Sequence, residues 1–273
     1  MPVSLLSSLA RATSGLQYAL PSKRRRAVES NLGWILRDIP SRDLDRTARS
    51  IFESYHRFLL EYMAQRGLDS RALDARFRFQ GMETLYAALA RGKGAVVSAP
   101  HVGNWELAGL ATARLGFRVH VVTGVQFHAR LTGSARRIKE RERILVSTPS
   151  DGFRPLLRTL REKGLVVLLT DGDVFVRSVE TLFFGRRVRF PVGPALLARR
   201  SGASVVHAHA ERGQDGGHRV VFDGFEVPRP ELPLREDVAR LTRRIAEAQE
   251  RTITSHLDQW CVFRPLFPDR DAA

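Results

Sequence analysis

The sequence predicts an α/β protein with a mostly parallel central sheet flanked by helices and preceded by an N-terminal helical hairpin. Three observations predict it. An apolar run, Gly94 to Ser98, leads into a helix-period segment, Trp105 to Leu115, and then into a second extended run, Phe117 to Thr123. Strand, helix, strand in that order implies a right-handed crossover between parallel strands. Leu165 to Thr170 reads as a continuous apolar strand, as expected in the middle of a sheet covered on both faces. Finally, no run of 18 or more uninterrupted apolar residues exists, so no transmembrane helix is expected.

Val3 to Leu20 is broken by Arg11 and by several Ser, Thr and Gln, so it reads as an interfacial segment or a packed helix and lacks the apolar centre of a secretory signal. From Pro21 the text is helical. The basic start Lys23-Arg24-Arg25-Arg26 precedes an apolar face of Val28, Leu32, Ile35 and Leu36. Ser41 or Asp43 caps a following helix whose apolar set, Ile51, Phe52, Tyr55, Phe58, Leu59 and Tyr62, recurs at three- and four-residue steps. Phe77 to Gly81 reads as a short edge strand, and Met82 to Arg91 as a helix ended by Gly92. Ala135 to Arg143 and Phe153 to Lys163 are helices, Leu182 to Pro194 contains a hairpin with exposed Arg, and Pro194 to Arg200 is a helix ended by Gly202. Ala203 to Ala210 and His218 to Val227 are strands, and Arg235 to Trp260 is a long amphipathic helix. There is no internal repeat and no low-complexity linker. A length of 273 residues fits one substantial core. The expected organisation is a single domain over 1–273, divided into a helical region 1–75, an α/β core 76–265 and a tail 266–273.

The pivot is Ala99-Pro100-His101-Val102-Gly103-Asn104-Trp105-Glu106, which lies at a strand-to-helix crossover, where open α/β sheets place their chemistry. His101 and Glu106 are five residues apart, about 500° of rotation if both were helical, so they converge only if His101 sits in the turn. Pro100 and Gly103 favour that turn, and Asn104 is suited to cap the helix, with Glu106 in the first turn where the dipole favours a carboxylate. Leu165 to Thr170 delivers a second pair of acids, Asp171 and Asp173 in Asp171-Gly172-Asp173, which read by themselves as turn formers.

Net charge is +15, and of 44 basic residues only Lys23, Lys93, Lys139 and Lys163 are Lys. A genome rich in G and C would give the same Arg bias. Either way the surface seeks phosphate-rich partners, anionic membranes or nucleic acid. No zinc-finger spacing, aromatic RNA-binding signature or helix-turn-helix text is present, so no nucleic-acid partner is expected. Cys261 is the single cysteine, which rules out an intrachain disulfide, and nothing near it in sequence suggests an activating base. His207 and His209 share a strand face, yet no third ligand stands at metal spacing, so no metal site is expected.

His101-Val102-Gly103-Asn104-Trp105-Glu106 resembles the His-x4-Asp/Glu signature of the lysophospholipid acyltransferase superfamily. It is most similar to the bacterial branch of the lipid A (lauroyl/myristoyl) and phosphatidylinositol mannoside acyltransferases. Leu182-Phe183-Phe184-Gly185, Pro191-Val192-Gly193-Pro194 and the tail Trp260-Cys261-Val262-Phe263-Arg264-Pro265 resemble the same branch, so the likeness spans roughly Pro21 to Pro265.

The resemblance implies a glycerol-3-phosphate acyltransferase-like fold and an O-acyltransferase that moves a fatty acyl group to a hydroxyl of a glycolipid or phospholipid. The donor would be acyl-CoA or acyl carrier protein as co-substrate, with no other cofactor. It also implies peripheral attachment to an anionic membrane surface at the cytoplasmic face of the bacterial inner membrane. His101 would be the general base, oriented by Glu106 or, by position, by Asp171; the sequence leaves that choice open. An imidazole of ordinary pKa, about 6.5, is mostly neutral at cytosolic pH and able to accept a proton. Asn104, Trp105, Asp173, Phe183, Phe184, Gly185 and Arg189 are candidates to contact substrate. Arg136, Arg137 and Lys139 are candidates for oxyanion or phosphate contacts, or else a solvated basic helix face. Two other classes are compatible with the sequence, a basic nucleic-acid-binding protein and an inactive scaffold of the same fold.

Overall fold

A computed structural model of the chain describes residues 3–36, 40–64, 74–124, 137–171 and 177–267. The N-terminal region is three helices, α1 (Val3–Ala19), α2 (Lys23–Ile35) and α3 (Ser41–Ala64). The predicted hairpin of α2 and α3 is joined by α1, which packs on α3. Tyr18 of α1 meets Phe52 of α3 edge to face at 5.3 Å, and its hydroxyl donates to Asp45 at 2.8 Å. Ser22 starts α2 by accepting the Arg25 N–H, which satisfies one of the donors a helix start leaves free.

The sheet is built from β1 (Phe77–Gln80), β2 (Ala95–Ala99), β3 (Val119–Val122), β4 (Leu145–Ser147), β5 (Leu165–Leu169), β8 (Ser204–Arg212) and β9 (His218–Glu226). They lie in the order β1-β9-β8-β2-β5-β3-β4, with β8 and β9 antiparallel and every other neighbouring pair parallel. A separate antiparallel hairpin, β6 (Ser178–Phe183) and β7 (Arg186–Pro191), turns at Phe184 and Gly185, both at positive φ. The helices between strands are α4 (Met82–Ala90), α5 (Trp105–Arg114), α6 (Arg154–Arg161) and α7 (Gly193–Ser201), and α8 (Leu234–Ser255) follows the last strand. No helix among the described residues is long and apolar enough to cross a membrane.

The two-residue period of the strands splits the core between the sheet faces. Ala95 and Val97 of β2 pack with Leu85 of α4 and Leu107 and Leu110 of α5. Val96 of β2, with Val166 and Leu168 of β5, packs on Leu160 of α6, Leu197 of α7 and Leu241 and Ile245 of α8. A central strand must therefore be apolar at consecutive positions, which is what made β5 legible in sequence.

Two elements differ from the sequence expectation. β4 was not foreseen; it is three residues long and is defined by pairing with β3 rather than by any periodicity of its own. The last long helix stops at Ser255 instead of continuing to Trp260. A short 3-10 turn, Leu257–Gln259, follows, and Trp260 forms an antiparallel bridge to Val102, a pairing that a helical Trp260 could not make.

Candidate active site

The register of two neighbouring strands creates the site. β2 and β5 pair in parallel with Ala99 opposite Leu169, and the Thr170 N–H donates to the Ala99 carbonyl at 3.1 Å. His101 and Asp171, each two residues beyond its strand, therefore emerge side by side at the carboxyl edge of the sheet, where open α/β sheets bind ligands.

Asp171 is fully buried. Its Oδ1 lies 2.6 Å from His101 Nδ1, while Oδ2 accepts the His101 backbone N–H at 2.7 Å and the Trp260 indole N–H at 2.8 Å. Burial by itself would raise the carboxyl pKa. The neighbouring His101 ring and these hydrogen bonds outweigh burial and hold it below the usual carboxylate value. An ionised carboxylate only accepts, so His101 Nδ1 carries the hydrogen and Nε2 presents its lone pair. Nε2 has no hydrogen-bond partner among the described residues, and the side chain is 25% exposed. The dyad is backed by Ser98 and Thr170, whose hydroxyls are 2.8 Å apart, and by Gln249 of α8, whose amide reaches both.

The loop carrying His101 is held from behind. Gly103 has φ +64°, and a Cβ there would stand 2.3 Å from the Ala210 carbonyl oxygen of β8, so a side chain would force the loop off the strand. The C-terminal segment lies alongside, with the Cys261 N–H donating to the His101 carbonyl at 2.8 Å and the Gly103 N–H to Gln259 at 3.2 Å. Asn104 caps α5 by accepting the Leu107 N–H, and its amide donates to Glu61 of α3 at 2.9 Å. Arg212 forks onto both Glu61 oxygens at 2.8 Å each. Burial alone would raise the Glu61 pKa, but Arg212 above all pulls it below the usual range.

Glu106 makes a different contact from the one the motif suggested. Both its carboxylate oxygens reach Lys139 Nζ, at 3.0 and 2.8 Å, with both side chains buried, while His101 Nδ1 donates its hydrogen bond to Asp171. Glu106, Lys139 and His209 stand in the wall of a largely apolar cavity between α5 and the sheet, with about 850 Å³ of empty space including that open to solvent. Pro100 and Trp105, which flank His101, line it, with Gly109 and Thr112 of α5 and Val97, Val121, Val167 and Phe222 of the sheet. Trp105 stacks on Phe58 at 4.2 Å and meets the His101 ring edge to face at 5.0 Å.

The other candidates fall elsewhere. Arg136 and Asp173 lie outside the described residues. Arg137 is exposed on the helical stretch 137–141. Phe183 is buried in the core against Phe190 and Phe184, Gly185 forms the hairpin turn, and Arg189 is exposed with its guanidinium on Ser178. None of Arg137, Phe183, Phe184, Gly185 and Arg189 lines the cavity. Burial pushes the Cys261 thiol up to about 12, so it is not a thiolate nucleophile. Trp260, Thr170, Gln249, Glu61 and Arg212 support the dyad and its loop without having been singled out for it. Trp260 stood within the tail segment, but only the fold brings its indole to Asp171, 89 residues away in sequence.

Residues 1–268 match the family described as bacterial lipid A biosynthesis acyltransferase. A relative named phosphatidylinositol mannoside acyltransferase, from Mycobacterium tuberculosis (strain CDC 1551 / Oshkosh), is 30% identical over 271 residues, covering 92% of this chain and 80% of the relative. One of the same name from Mycolicibacterium smegmatis is 27% identical over 269 residues, covering 92% of this chain and 82% of the relative. With nearly its whole length matched, and a His-carboxylate pair at the carboxyl edge of its sheet, this chain belongs to the bacterial lipid A biosynthesis acyltransferase family.

Proposed function

We propose that the chain transfers a fatty acyl group from a thioester donor, acyl-CoA or acyl carrier protein, to a hydroxyl of a glycolipid or phospholipid, with His101 as general base and Asp171 orienting it. The observation that carries this reading is the buried Asp171 on His101 Nδ1, with Nε2 unpartnered among the described residues and with Pro100 and Trp105, on either side of His101 in the loop, lining a largely apolar cavity. As the acceptor oxygen attacks the thioester carbonyl, its proton passes to Nε2, and the ionised Asp171 stabilises the imidazolium. The tetrahedral intermediate collapses as the C–S bond breaks, and the imidazolium returns its proton to the departing thiolate. No covalent acyl-enzyme is needed, and the chain has no Gly-x-Ser-x-Gly elbow.

The cavity between α5 and the sheet suits an acyl chain, whose burial contributes about 0.8 kcal/mol per methylene. The Glu106–Lys139 pair then acts as a positioning element that ties α5 to the stretch 137–141 in the cavity wall. Peripheral docking on an anionic membrane, at the cytoplasmic face of the inner membrane, fits the net charge of +15 and the exposed Leu5, Leu9 and Leu16 of α1.

The test is transfer of radiolabelled acyl groups from both donors into total bacterial lipid extract by wild type and His101→Ala. A labelled lipid made only by the wild type supports the reading and names the acceptor class. Equal labelling by a folded His101→Ala variant would overturn the assignment of the base.

A further inference from the structure

Behind the active-site loop stands a cluster that takes no part in the proposed proton transfer. Gly103 rests on the Ala210 carbonyl and the Glu211 Cα, so the end of β8 backs the loop. His209 and Glu211 leave that strand two residues apart, on one face. His256 caps the carboxyl end of α8 and points at the same place. One ligand atom from each of the three lies within 4.8 Å of the other two. His209 Nε2 is 3.9 Å from Glu211 Oε2, His256 Nε2 contacts that same oxygen, and the two imidazole rings are 5.2 Å apart. The sequence offers His209 no third ligand at metal spacing; the fold supplies Glu211 and His256.

The hydrogen-bonding leaves a place for a cation. His256 Nδ1 is 3.1 Å from the Thr252 carbonyl, which only accepts, so Nδ1 carries the hydrogen. In the neutral ring, Nε2 is then a lone pair facing a carboxylate oxygen, and two acceptors in contact need either a proton or a metal cation between them. His209 is buried, and its Nδ1 has no partner among the described residues. A proton on His256 joins two of the three groups; a metal ion joins all three. Arg219 Nη1 holds the other Glu211 oxygen at 2.9 Å, an outer contact of the kind that orients ligating carboxylates. Two imidazoles and one carboxylate are the donor set of zinc-type sites.

We propose that His209, Glu211 and His256 bind one divalent transition-metal ion of the zinc class. The ion fastens the end of α8 to β8 and so steadies the turn 256–260 that carries Trp260 to Asp171. It is a structural clamp that takes no part in the proton transfer proposed above, although His209 also stands in the wall of the cavity.

The experiment uses untagged full-length protein, stripped with a chelator and titrated with zinc sulfate. Bound metal is read by atomic emission, and affinity by competition with a chromogenic chelator. One zinc per chain and a raised melting temperature are expected. His256→Gln and Glu211→Gln should each lower affinity by at least about 100-fold, and Arg219→Ala by about 10-fold, as for loss of an outer-shell partner. Glu211→Gln conserves shape, so with circular dichroism it keeps the test decisive should His256→Gln fold poorly. Absence of stoichiometric zinc in the wild type would overturn the proposal. So would unchanged affinity in both ligand variants, or a zinc lost only in His101→Ala, which would place the ion at the dyad.

Discussion

Asp171 meets two donors with one oxygen and orients His101 with the other, so its two oxygens are not interchangeable with an amide. In Asp171→Asn an NH2 group must face either His101 Nδ1, favouring the wrong tautomer, or the backbone and indole N–H groups, where donor meets donor. Activity should fall by about 10³- to 10⁴-fold with the fold retained, as comparison of kcat with the circular dichroism spectrum will show. Trp260→Phe removes one charge-assisted bond. It should cost about 1.5–3 kcal/mol of stability in urea unfolding and lower kcat more than it changes KM. A second buried residue gives a pH test. Burial lowers His218 to about 4, only partly opposed by Glu61. The unfolded imidazole titrates near 6.5, so stability is full above that pH. It falls as pH drops from about 6.5 to about 4, by about 1.4 kcal/mol per unit for this one group, because only the unfolded chain binds the proton. His218→Phe, which keeps a ring against Phe77, should show a shallower loss between pH 7 and 5; parallel curves for the two proteins would refute the argument.

At the scale of elements, α5 does most to define the cavity, and Gly109 is its informative position. A Cβ there would meet nothing within 4 Å, and the residue lines the cavity. Gly109→Ala should stabilise the helix by about 0.8–1 kcal/mol, read as a raised urea midpoint. Gly109→Leu should fill the slot and shift donor preference toward shorter acyl chains in a competition between two chain lengths; an unchanged preference would place the acyl chain elsewhere. The elements themselves were legible where a period runs long enough, as in α3, or where burial on both faces forces a continuous apolar run, as in β5. β4 and the true end of α8 were not, because strand pairing in one case and the Trp260–Val102 bridge in the other set them.

The whole molecule combines a net charge of +15 with an N-terminal helix that buries Leu6 and Tyr18 while exposing Leu5, Leu9 and Leu16. The charge term should be screened by salt, since the Debye length shrinks from about 10 Å at 0.1 M to about 3 Å at 1 M, whereas the apolar term should not. Co-sedimentation with phosphatidylglycerol vesicles should therefore weaken with salt but persist in part, and replacing the three leucines by Ser should remove the residue. Binding to phosphatidylcholine vesicles should be weak throughout. Tighter binding to single-stranded nucleic acid than to anionic vesicles would turn the surface charge to another use.

By itself the sequence determined the alternation of strands and helices, the turn that holds His101, the Asn104 cap and the acid at the end of the central strand. Each is a local property, written in periodicity, turn chemistry or a short motif. Only the tertiary structure decided which carboxylate serves His101. The parallel register of β2 and β5 sets Asp171 beside the imidazole, while Glu106 is taken by Lys139. It likewise brought Trp260 to Asp171 and His256 to Glu211, contacts between residues far apart in the chain. Pairings of that kind depend on strand order and on the path of the returning C-terminal segment, which no local pattern encodes.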